Sequence, residues 1–135
     1  MARFSGERRL VQAIRDGVAE MHRLHARRGW YDGHDLVNWM NSNRNAELND
    51  IIDYYRRAPA GSRRRRPGRD PVHSATVQIG NFLKNRLGQR KVREQNSPRQ
   101  ITLRGGAHRD GNCNVSVWQV SQDTALGSAR TACSA

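Results

Sequence analysis

Ser74-Ala75-Thr76-Val77-Gln78-Ile79-Gly80-Asn81-Phe82-Leu83-Lys84-Asn85-Arg86-Leu87-Gly88 is the stretch on which the fold turns. Its apolar residues Ala75, Ile79, Phe82, Leu83 and Leu87 recur at helical spacing and form one stripe. Ser74 suits an N-cap, where a hydroxyl accepts from a free backbone N–H. Gly88 suits the left-handed position that follows a last turn. The sequence therefore predicts a helix over 74–87. With the stripe turned inward, Gln78, Asn81, Lys84 and Asn85 occupy the opposite side. From Ser74 to Arg93 there is no carboxylate, only the cations Lys84, Arg86, Arg90, Lys91 and Arg93.

Downstream the period changes from helical to alternating. Gln100-Ile101-Thr102-Leu103-Arg104 and Asn114-Val115-Ser116-Val117-Trp118 read as two strands. The residues between them, Gly105 to Asn112, hold Gly-Gly and Asp-Gly and predict a hairpin with a long tip. After Ser121 the chain is small and polar, and a flexible tail over 121–135 is expected.

Upstream, residues 59–73 carry Arg63, Arg64, Arg65, Arg66 and Arg69 among three prolines and two glycines. Like-charge repulsion and the missing apolar stripe predict a basic loop. Before it, Leu48, Ile51, Ile52 and Tyr55 mark a helix over 46–58 that Asn45 can cap. Leu36, Val37 and Met40 mark a short one over 35–41. At the start, Leu10, Val11, Ile14, Val18, Met21 and Leu24 form a continuous stripe over about 7–28, with Gly29 placed to end it. Trp30 and Tyr31 read as the close of that helix.

The whole chain has 135 residues and 24 Lys plus Arg against 12 Asp plus Glu, a formal charge of +12. An anionic polymer or surface is the partner such a balance favours. No apolar run reaches the ~18 residues that cross a bilayer, and the first residues lack the apolar core of a secretion signal. Cys113 and Cys133 are too few for a disulfide framework, so a cytoplasmic setting is expected.

This order of elements resembles a winged helix-turn-helix domain. The likeness covers roughly 33–120 and is strongest from Ser74 to Val120, a helix followed by a hairpin. One departure is plain: helices 46–58 and 74–87 are separated by the arginine loop, whereas the usual turn has three or four residues. The expected fold is thus α+β, a small helical domain ending in a two-stranded β-hairpin, with residues 1–32 as an N-terminal amphipathic helix. The resemblance implies that the helix before the hairpin enters a major groove and the tip touches nearby backbone. Of the two candidate helices, 46–58 displays Glu47, Asp50 and Asp53 and would repel phosphate, so 74–87 is preferred.

The expected function is a small regulatory DNA-binding protein. The candidate contacts are Arg63, Arg64, Arg65, Arg66 and Arg69 in the loop, then Ser74, Gln78, Asn81, Lys84 and Asn85 on the helix. Arg90, Lys91 and Arg93 follow, with Arg104, His108 and Arg109 near the tip. Asn and Gln pair with adenine edges, Lys reaches guanine or phosphate, and Arg forks onto phosphate. Few aromatics interleave with these cations, which disfavours a base-stacking platform for single strands or RNA. The alternative is a structural subunit of a nucleoprotein assembly, of ribosomal, phage or mobile-element type. The long N-terminal stripe suggests a homodimer through residues 7–28. No cofactor or metal is expected: His22 and His25 have metal-ligand spacing but no further ligands nearby. No phosphate loop, nucleophile elbow or paired acid–base motif is present, and an enzyme is not expected.

Overall fold

A computed structural model describes residues 4–59, 71–96, 101–103, 106–108 and 114–120. Helix α1 spans Glu7–Leu24; of its predicted stripe Leu10, Val11, Ile14, Val18 and Met21 are buried, with Ala13 beside them, while Leu24 is 52% exposed. It stops short of the predicted end: His25 caps it, and Gly29 then turns the chain at φ +82°. A left-handed residue of this kind is cheap only for glycine. The next three residues, Trp30–Asp32, form strand β1 rather than the close of a helix. Three residues carry no period, so the only strand signal there is their aromatic content.

Helix α2, Gly33–Asn43, starts on a reciprocal cap. Asp32 Oδ1 accepts from the Asp35 backbone N–H at 2.9 Å, and Asp35 Oδ2 accepts from the Asp32 N–H at 3.0 Å. This uses two backbone donors that a helix start leaves open. Asp32 and Asp35 are thus helix-start residues. Helix α3, Asn45–Arg56, follows after Arg44 alone. Asn45 is therefore inside the helix rather than its cap, and its side chain bridges Asn41 and Asn49 at 2.8 Å each. One residue between α2 and α3 is too little for a helix-turn-helix turn. Helix α4 spans Pro71–Asn85, a turn earlier than Ser74 suggested. Proline needs no N–H partner and has its φ preset, which suits a first helical position.

Beyond Gly88 (φ +62°) the chain enters strand β2, Lys91–Asn96. Two short strands, β3 (Ile101–Leu103) and β4 (Gly106–His108), pair with each other. Strand β5, Asn114–Gln119, lies between β1 and β2 in an antiparallel sheet of order β1-β5-β2. Tyr31 and Lys91 both stand opposite Trp118, and Gln95 opposite Val115. The expected pairing of 100–104 with 114–120 is thus corrected: β5 takes β2 and β1, while β3 folds back locally onto β4. The reason lies in β2, whose Lys91, Val92, Arg93 and Glu94 are all exposed. A charged edge strand blocks pairing with other chains, and it also erases the apolar alternation that announces a strand.

A single core joins α1, α2, α3, α4 and the Tyr31, Trp118 and Val120 side chains of the sheet region. Residues 1–32 are not an appended element, because the α1 stripe packs against α2, α3 and β1. Of the stripe expected to hold a second copy, Leu24 is exposed, and Leu10, Val11, Ile14, Val18 and Met21 are buried within the chain. Gly17 shows how closely: a β-carbon there would lie 2.6 Å from Leu36 Cδ1 and 3.1 Å from Trp39 Cε3. Among the described residues no helix is long and apolar enough to cross a membrane.

Candidate nucleic-acid interface

The inward side of α4 carries Val72, Ala75, Ile79, Phe82 and Leu83, all buried. That packing fixes what remains outside. Asn81, Lys84 and Asn85 are exposed and Gln78 is half-buried, with Asn81 Nδ2 donating to Gln78 Oε1 at 3.4 Å. Ser74, by contrast, is only 8% exposed and is corrected from contact residue to buried residue. The earlier helix start places it one turn in, on the core side.

Arg90, Lys91 and Arg93 do not extend the helix; they lead into and form the edge strand β2. The Arg90 carbonyl accepts from the Gln119 N–H at 2.9 Å, which leaves the side chain exposed. Lys91 Nζ lies 3.2 Å from Glu94 Oε1. Arg93 sits over the Trp30 ring at 5.4 Å and donates from Nε to Gln95 Oε1 at 3.2 Å. Arg28 lies closer to the same ring, at 3.8 Å, and pairs with Asp35 at 2.7 Å. The indole thus holds two guanidinium groups in place.

Ion pairs take up part of the basic surface. Glu7, Asp16, Glu20, Asp35, Asp50 and Asp53 each pair with an arginine. Arg86 is among those partners, held by Glu7 at 2.8 Å, so it is not an open cation. The Arg23 hydrogen bond holds the Glu20 carboxyl below its ordinary range. Lys84, Arg90 and Arg93 have no carboxylate partner among the described residues, as is also true of Arg8, Arg15, Arg27 and Arg57 elsewhere.

Helix α4 and the sheet enclose a cleft of about 280 Å³. Asn81 and Lys84 approach it from the helix, and Lys91 and Glu94 from β2. Two cations from separate elements thus line one cleft. Glu94, the first acid after the cation-rich stretch, and Val77, 40% exposed, also line the cleft and were not singled out from the sequence. The signal for Val77 was present: an apolar residue off the stripe of an otherwise amphipathic helix. His108 ends β4 opposite Ile101, and β3 runs beside α2. Arg63, Arg64, Arg65, Arg66, Arg69, Arg104 and Arg109 lie outside the described residues. Among the described residues no group of three His, Cys, Asp or Glu converges as metal ligands do.

No protein-family model, curated protein or solved structure matches this chain.

Proposed function

We propose that the chain binds duplex DNA through the outer side of α4 and the adjoining edge strand β2. The observation that carries this reading is Lys84 and Lys91 lining one cleft from two elements, with Asn81 and Asn85 exposed on the same helix as Lys84. The surface mixes cations for phosphate with amides that pair to adenine edges. The arginine-rich stretch 63–69 precedes α4 in the sequence, and its guanidinium groups would add phosphate contacts without reading sequence. The order of elements supports a winged-helix-like arrangement: a helix, then antiparallel strands, with β1 completing the sheet from the far edge. A regulatory role follows if the amides discriminate between sequences.

The test is fluorescence anisotropy with a short labelled duplex across a salt series. Six to eight neutralised phosphates predict a fall in affinity of about a thousandfold or more from low to moderate salt. Affinity that is absent, or flat with salt, would reject the proposal. Binding only to structured RNA would transfer the chain to the assembly-subunit reading.

A further inference from the structure

The two glycines lining the cleft differ from Gly17. Gly17 is forced, because a β-carbon would collide with Leu36. Gly80 is not: a β-carbon there would meet Trp118 Cζ2 at 3.8 Å, an ordinary contact. Gly33, across the cleft, would find only Thr76 Cγ2 at 3.9 Å. Neither glycine is required by a left-handed backbone. A glycine inside a helix is disfavoured relative to alanine, so the empty space at Gly80 is maintained against local preference. Here that space is the cleft itself.

The walls are divided by chemistry. Val77, Val115 and Trp118 supply an apolar lining, and Lys84 and Lys91 line the same cleft from α4 and β2. Val77 is left 40% exposed there, an apolar side chain that an occupant would cover. The volume, about 280 Å³, lies near the lower bound of small-molecule sites. It has room for a small flat ring system and far too little for a dinucleotide. We infer that this cleft is a binding site for a small flat organic anion, its ring against the apolar wall and its acid group between Lys84 and Lys91. The inference goes beyond DNA binding and stands without it, since the site can be filled in the absence of nucleic acid. Glu94 opposes the anion by holding Lys91 at 3.2 Å, so the site is tuned to modest affinity.

Calorimetric titration with naphthalenesulfonate, no nucleic acid present, tests this. The expected result is saturable binding at one site per chain. The uncharged naphthalenesulfonamide should bind about tenfold more weakly, as should the sulfonate to a Lys84→Ala, Lys91→Ala double variant. Both lysines are exposed, so that variant keeps its fold. Glu94→Gln should tighten binding by releasing Lys91. Gly80→Leu, which fills the cleft, should abolish binding while circular dichroism stays helical; if it fails to fold, the lysine variant decides. Unchanged affinity in the lysine variant, or in a folded Gly80→Leu, would overturn the site. So would non-saturating uptake by the native chain.

Discussion

Gly17 and Gly80 sit in helices and look alike in the sequence, yet they demand opposite substitutions. At Gly17, alanine gains helix propensity of about 1 kcal/mol. It also drives a methyl against Leu36, which is fully buried and has nowhere to move. Overpacking of this kind costs about 1–3 kcal/mol, so Gly17→Ala should lower the melting temperature despite the better helix former. Gly80→Ala meets only ordinary contact and should raise stability by about 0.5–1 kcal/mol. Thermal unfolding of the two variants side by side checks both signs. Tyr31 gives a second residue-scale expectation. Its ring is fully buried, its hydroxyl donates to Gln89 Oε1 at 3.0 Å, and burial pushes its phenol well above the ordinary range. The folded state therefore prefers the neutral phenol. Stability from this preference is complete below the ordinary tyrosine value of about 10 and is lost as pH rises above it. Melting temperatures should fall above about pH 10, and fall less steeply in Tyr31→Phe.

At the scale of elements, what could be read in advance follows the length and sidedness of each segment. Helices with a complete stripe were legible: Ile14, Val18 and Met21 in α1, and Ile79, Phe82 and Leu83 in α4, are buried as their spacing predicts. The helix starts were less so, because Ser74 and Asn45 are good caps by chemistry but the chain had Pro71 and a one-residue joint at Arg44 to use instead. Strand β5 was visible through Val115 and Val117, yet its partners were not. β1 is too short to show a period, and β2 is an exposed charged edge. Of the candidate contacts on α4, those opposite the stripe are open and Ser74 is not, the consequence of a one-turn shift in where the helix begins. The cleft was illegible because it depends on β2 lying beside α4, a juxtaposition no local pattern encodes. For function, removing Lys84 should reduce the dependence of log affinity on log salt by about 0.9, and removing Lys91, which already pairs with Glu94 at 3.2 Å, should reduce it by less. Arg23→Ala should leave it unchanged, since that guanidinium already serves Glu20 at 2.7 Å. Salt-series anisotropy of the three variants makes the comparison.

For the whole molecule, net charge and core belong to one account. Most of the apolar stripe of α1 joins the common core, and the exposed large apolar residues among those described are Leu24, Val77 and Val92. Sedimentation at micromolar concentration should therefore give a monomer, in place of the dimer that the stripe alone suggested; a stable dimer would mean that another surface associates. The formal charge of +12 is spread unevenly once ion pairs form. Arg9 and Arg23 on α1 and Arg56 on α3 answer nearby carboxylates, while among the described residues Lys84, Arg90 and Arg93, and also Arg8 and Arg15 on α1, do not. Binding driven by net charge alone would touch every basic surface equally, whereas an organised interface would not. Backbone amide shifts of the intact chain, followed while a short duplex is added at moderate salt, separate these cases directly. The account predicts changes concentrated at Gln78 to Asn85 and Lys91 to Gln95. Shifts confined to the arginine side of α1, with α4 and β2 silent, would contradict it.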